Sequence, residues 1–98
     1  MRREITVEEI QKAICKHFNV KVGELKSKRR SKDIVLPRQV AMYLCRKYTA
    51  EPYSFIGFKF GRREHSTVLY ALKSINKKLA KDPGLLMRIL TLETNLRA

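Results

Sequence analysis

Acidic residues are what this sequence most lacks: nine Asp and Glu stand against 22 Lys and Arg in 98 residues, a formal net charge of +13. A compact domain with that surplus repels itself, so a polyanion is its natural partner and a merely soluble basic protein the plainer alternative. The few acids are scattered, which argues against the clustered carboxylates that hold a nuclease's metal. Glycine is scarce too. Gly23, Gly57, Gly61 and Gly84 never fall into the G-x-x-x-x-G-K-[ST] pattern, so no triphosphate cradle is present. Cys15 and Cys45 are far apart and lie in helical patterns. They make no metal spacing and no redox motif, and read as small buried hydrophobes in a reducing compartment. His17 and His65 form no ligand pattern with them, and His17 reads as a helix-end histidine. No apolar run is long enough to span a bilayer. Arg2-Arg3-Glu4 is not followed by the apolar block of a signal peptide. A cytoplasmic location is therefore expected. There is no internal repeat and no low-complexity segment, and the length fits one domain, residues 1–98, with one modest core.

What is present is mostly helical periodicity. Thr6-Val7-Glu8-Glu9 is a candidate capping box, with Thr6 as N-cap and Glu9 reaching back. Ile5, Ile10, Ala13, Ile14 and Phe18 follow at helical spacing, and Asn19 ends the run. Val20 to Leu25 is a short link with one helical turn expected after Gly23, anchored by Val22 and Leu25. Next, Lys26 to Lys32 holds five basic residues in seven and no acid. Such a run is usually a solvated surface, but an arm projecting from a small domain can also place arginine in a narrow A/T-rich minor groove. Lys28, Arg29 and Lys32 read as phosphate contacts. Pro37 fits the first turn of a helix, whose inward face is Val40, Ala41, Leu44, Cys45 and Tyr48 and whose outward face is Arg38, Gln39, Arg46 and Lys47. A basic residue in a first turn opposes the helix dipole, so Arg38 calls for a partner, a nearby acid being the plain choice.

Thr49 to Pro52 breaks that helix. Tyr53 to Phe60 has the length and aromatic content of a buried strand, yet a short helix is preferred because Gly61 and a strongly amphipathic stretch follow. Short helix, glycine turn and second helix, over Tyr53 to Lys78, make a helix-turn-helix. In the second helix Val68, Ala71, Leu72, Ile75 and Leu79 share one face, and Ser66, Thr67, Tyr70, Lys73, Ser74 and Lys77 the other. The first face can be buried. The second suits a DNA major groove, with short hydroxyls near the N-terminus for base edges and lysines further along for phosphates. Asp82-Pro83-Gly84 breaks the chain again, and Leu85, Leu86, Ile89, Leu90 and Leu96 predict a last helix packed across the core.

Phe60-Gly61-x-Arg63-Glu64-His65-Ser66-Thr67-Val68 resembles the F-G-G-R-D-H-[ST]-T-V signature of the C-terminal DNA-binding domain (domain IV) of the DnaA family of bacterial replication initiators. Ser27-Lys28-Arg29-Arg30-Ser31 and Pro37-Arg38-Gln39-Val40-Ala41-Met42-Tyr43-Leu44 are similar to that family's S-K-x-R and P-R-Q-x-A-M-x-L runs, in the same order and spacing. The likeness runs roughly from Ile5 to Leu90. It implies an all-α domain of five to six helices, Trp-repressor-like, that binds DnaA boxes, short A/T-rich asymmetric repeats at a replication origin. It also implies that Arg30 enters the minor groove, that Arg38 and Gln39 meet the DNA backbone, and that Arg63, Glu64, His65, Ser66 and Thr67 belong to the reading surface. Arg46, Arg62, Tyr70, Lys73 and Lys77 complete the expected DNA-binding set. The implied partner is double-stranded DNA, one copy of the domain per site, in the nucleoid and away from membranes, with room for contacts to other initiator domains or regulators. No cofactor is expected: full initiators bind ATP through a separate domain absent from this chain, which is either an excised C-terminal domain or a free-standing paralogue.

The sequence departs from the family at several points. Arg62 replaces a turn glycine, which strains it if that glycine needs a positive φ. Glu64 replaces Asp, Tyr70 stands where His is common, Ser66 replaces Thr in some members, and Ser54-Phe55 replaces Pro-Glu. His65 lies nearer the apolar face than Ser66, so a half-buried structural histidine competes with a base contact. Glu64-His65 as a catalytic base and its orienter is weak, because neighbours on a helix do not face each other. No enzyme is expected. Three function classes stand: sequence-specific duplex DNA binding in replication or transcription, which is favoured; a basic RNA-binding protein, disfavoured because its aromatics sit at core spacing; and a protein-interaction module docking through the last helix.

Overall fold

Six helices and no strand make up the described residues, 4–98, of the computed structural model: α1 (Val7–Phe18), α2 (Val22–Leu25), α3 (Lys32–Tyr48), α4 (Tyr53–Lys59), α5 (His65–Leu79) and α6 (Pro83–Arg97). Arg2 and Arg3 of the opening segment lie outside the described residues. The Thr6 hydroxyl caps α1 by accepting from the Glu9 amide at 3.1 Å. Asn19 closes the helix in the left-handed conformation, φ 55°. Ile10 and Ile14 are wholly buried. Two such side chains contribute about 1.5–3 kcal/mol each against about 1 kcal/mol for the cap, so packing rather than capping holds α1.

α3 is the central element, in contact with α1, α2, α4 and α5. It begins five residues before Pro37, not at it, with the Ser31 carbonyl accepting from the Ile34 and Val35 amides. Pro37 therefore sits inside the helix, where its ring cannot donate to the Asp33 carbonyl. It is buried in return. Val40, Ala41, Met42, Leu44 and Cys45 form the inner face, and burial pushes the Cys45 thiol far up. Because the helix starts early, Arg38 does not lie in an exposed first turn. It is 5% exposed and points inward.

In α6 the Asp82 carboxylate accepts from the Leu85 amide at 3.1 Å and Pro83 takes the first helical position. Leu85, Ile89, Leu92 and Leu96 are buried, whereas Leu86 and Leu90, expected in the core, are 39% and 45% exposed. The buried line steps by four, three and four residues, and Leu86 and Leu90 each fall one position off it. Glu93 is beside that line, buried, accepting from Lys47 Nζ at 2.6 Å and the Tyr48 hydroxyl at 2.8 Å. Burial pushes its carboxyl up, but the two hydrogen bonds and the Lys47 charge outweigh that and hold it below the usual range.

Candidate nucleic-acid interface

α5 mounts on α3 and α4 through Val68, Ala71 and Ile75, with Leu72 and Leu79 half-buried beside them. Its other face is open. His65, Ser66, Thr67, Tyr70, Lys73 and Lys77 are exposed and Ser74 is half-buried. His65 is thus not the half-buried structural histidine that its helical angle allowed. Glu64 is the N-cap residue, yet its carboxylate makes no capping bond and is exposed. The first turn of α5 therefore presents a carboxylate, an imidazole and two hydroxyls to solvent, followed by a phenol and two ammonium groups.

The turn before α5 is drawn tight by main-chain contacts. The Arg62 amide bonds the Phe58 carbonyl at 3.1 Å and the Arg63 amide the Gly57 carbonyl at 2.8 Å. Gly61 has φ 91° and Arg62 φ 60°. Arg62 thus pays the left-handed penalty of about 1–2 kcal/mol that glycine avoids. Its guanidinium lies over the exposed Phe58 ring, 5.9 Å from the centroid. A Cβ at Gly57 would stand 2.2 Å from the Arg63 carbonyl oxygen, and one at Gly61 2.2 Å from the Lys26 carbonyl oxygen. Only glycine permits either approach.

That last contact brings the basic arm to the turn. Lys28, Arg30 and Lys32 are exposed, and none of the ion pairs among the described residues involves them. Arg29 is already engaged, with Glu24 at 2.8 Å and Asp33 at 3.7 Å. Arg38 serves the arm from below. Its Nε donates to the Leu25 carbonyl at 2.8 Å, one terminal nitrogen to Arg29 at 3.0 Å, and the other to Ser27 at 2.9 Å and Glu24 at 3.3 Å. The partner its position called for is a set of carbonyls and not an acid. Desolvation, with the nearby Arg63 charge second, pushes its pKa down to about 10. Arg63 is half-buried and donates to the Phe60 carbonyl and, at 2.6 Å, to the Ser27 carbonyl. Desolvation lowers its pKa as well.

The remaining expected residues lie elsewhere on α3. Gln39 is half-buried, with Oε1 shielded from solvent and without a protein partner. Arg46 is exposed near the opposite end of α3, stacked 4.6 Å from the Tyr53 ring centroid and bonded to the Glu51 carbonyl at 3.4 Å. One residue was not foreseen. Lys78, at the end of α5, lines a surface depression with Arg30, Lys32, Val35 and Leu36. It sits in helical phase with Ala71, so periodicity gave no signal for it. The arm consequently borders α5 near both ends, at Arg63 and at Lys78. Among the described residues no group of three or more His, Cys, Asp or Glu is placed to hold a metal, and no helix is long and apolar enough to cross a membrane.

A short helix, a glycine-bound turn and an open second helix beside a basic arm define a helix-turn-helix protein. The family described as "Bacterial dnaA protein helix-turn-helix" matches residues 7–75, and the chain belongs to it. Similar proteins include the chromosomal replication initiator protein DnaA of Geobacter metallireducens, 49% identical over 94 residues, which are 96% of this chain and 21% of that one. The DnaA of Citrifermentans bemidjiense is 51% identical over 80 residues, 82% of this chain and 18% of that one. The chain spans about a fifth of the length of these curated relatives. Among solved structures, a DNA replication initiation factor matches with a TM-score of 0.80 and 29% identity, covering 92% of this chain and 27% of that one.

Proposed function

We propose that this domain binds double-stranded DNA in a sequence-specific manner, at DnaA-box-like sites of a replication origin. α5 enters the major groove and Arg30 of the arm the adjacent minor groove. The observation that carries the reading is the exposed first turn of α5, where Glu64, His65, Ser66 and Thr67 are all open to solvent beside the basic arm. In this reading Glu64 accepts from cytosine N4 and Ser66 and Thr67 bond base edges. His65 meets a base, for which thymine is the choice. Tyr70 meets a thymine methyl or a phosphate, and Lys28, Lys32, Arg62, Lys73 and Lys77 meet phosphates. Gln39 completes the backbone contacts if its amide reaches a phosphate, and Arg29 does so on giving up Glu24. Arg38 has most of its donors spent on carbonyls and is assigned no phosphate.

The test is one titration series on two duplexes, a site selected from a random library and an unrelated sequence. Ser66→Ala and Thr67→Ala should each cost about 1–3 kcal/mol on the selected site and little on the other. Arg30→Ala should also discriminate, through A/T-rich groove shape. Lys73→Ala should weaken both alike, because a phosphate carries no sequence. Equal ratios for Thr67→Ala and Lys73→Ala would make α5 a phosphate-binding surface without base readout. Structured RNA bound as tightly as the selected duplex would overturn the reading altogether.

A further inference from the structure

The Ser27 carbonyl receives two guanidinium groups, Arg38 from α3 at 2.9 Å and Arg63 from the turn at 2.6 Å. No ion pair among the described residues involves either arginine. Both cations are spent on main-chain oxygens. Arg38 gathers the carbonyls of Glu24, Leu25, Ser27 and Arg29, which form the root of the arm. Arg63 joins that root to the Phe60 carbonyl of the turn. The Gly61 backbone meets the Lys26 carbonyl so closely that a methyl group would not fit. The arm is therefore tied to the entrance of α5 at consecutive residues, and Arg30 follows only three residues after Ser27.

We propose that Arg63, with Arg38 behind it, is a positioning residue that sets the register between Arg30 and the first turn of α5, so that the two grooves are read as one site. The proposal rests on the DNA-binding reading above. Its physical content is geometric. A planar fork fixes two acceptors in direction as well as distance, which a point charge on a flexible stem does not. An arm free to move would lose entropy on binding and would bind non-cognate spacings equally well.

The test is a double-mutant cycle of Arg30→Ala and Arg63→Gln, read as the ratio of affinities for the selected and unrelated duplexes. In the parent, Arg30→Ala should lower that ratio roughly 5- to 150-fold. In the Arg63→Gln background it should lower it less than about threefold, because the arm is already out of register. The slope of log affinity against log salt should be unchanged by Arg63→Gln. A phosphate contact would instead lose about 0.9 units of slope and weaken both duplexes together. That result, or additive effects in the cycle, overturns the proposal. Backbone order parameters of Lys28 to Arg30 in the free domain provide an arm independent of DNA. They should fall from about 0.85 toward 0.6 in Arg63→Gln with α1 unaltered. Unchanged values overturn the positioning role even if DNA is bound, whereas a parent domain that selects no duplex overturns the DNA reading instead. If Arg63→Gln does not fold, Arg63→Lys takes its place in both the cycle and the relaxation measurement, with the same expectations.

Discussion

Replacing Gly61 with alanine puts one methyl group where the turn touches the arm. The new Cβ would lie 2.2 Å from the Lys26 carbonyl oxygen and 2.9 Å from a terminal nitrogen of Arg63. The arginine end can swing away, but the carbonyl belongs to main chain held by neighbouring hydrogen bonds. At φ 91° alanine is also strained whatever the space. The left-handed term costs about 1–2 kcal/mol, and forcing a methyl into a filled site about 1–3 kcal/mol more. The sum, roughly 2–5 kcal/mol, is a large part of the 5–15 kcal/mol that holds a small domain together. At about 4–8 °C per kcal/mol it lowers Tm by about 8–40 °C. Gly23→Ala is the control: nothing lies within 4 Å of its Cβ position, and the residue is inside α2. It should be neutral or raise stability by about 0.5–1 kcal/mol. Thermal and urea unfolding followed by circular dichroism at the helical band measures both. A Gly61→Ala domain melting within about 4 °C of the parent, with the same urea slope, would show that turn and arm do not touch as described and that Gly61 does not hold the arm in register with α5.

Arg62→Gly relieves the left-handed penalty but frees the unfolded chain and gives up the contact over Phe58, so stability should change by less than about 1 kcal/mol. The salt slope of DNA binding should meanwhile fall by close to one unit if Arg62 holds a phosphate. An unchanged slope would leave Arg62 without that role. Glu93 gives a pH signature. Its folded pKa is depressed, so its contribution is complete above the ordinary glutamate value of about 4.3 and is lost as pH falls below it. Glu93→Gln should therefore reduce stability at neutral pH and flatten the acid limb of the stability curve. An acid limb as steep as the parent's would assign acid unfolding to other carboxylates.

The sequence made the elements with strong periods readable. Thr6 as cap, Asn19 as stop and the two faces of α5 follow from residue type and spacing alone. The start of α3 did not, because Pro37 fits a first turn and the residue before a proline is biased away from helix. Tertiary packing against α1, α2 and α5 overrode that bias and drew five more residues into the helix. The same shift hid Arg38. Its true partners are four main-chain oxygens, and no pattern of side-chain types announces where a carbonyl will point. In α6, adjacent leucines at 85 and 86 left the helical phase undetermined, and only the packed core selects Leu85 over Leu86. The open face of α5 was legible because exposure there agrees with local polarity at every residue on it but Ser74, which is half-buried.

Gly57 brings the end of α4 against the Arg63 carbonyl with no room for a side chain between them. At its entrance α5 is thus held by main chain against main chain, and further along by the buried Val68, Ala71 and Ile75. Side chains on its outer face can change without altering how the helix is held. Positions 62, 64, 66 and 70, where this chain departs from the family signature that its sequence resembles, all lie on the turn or on the exposed side of α5. If the DNA-binding assignment of these residues holds, exchanging them should change the bases preferred without rebuilding the scaffold beneath them.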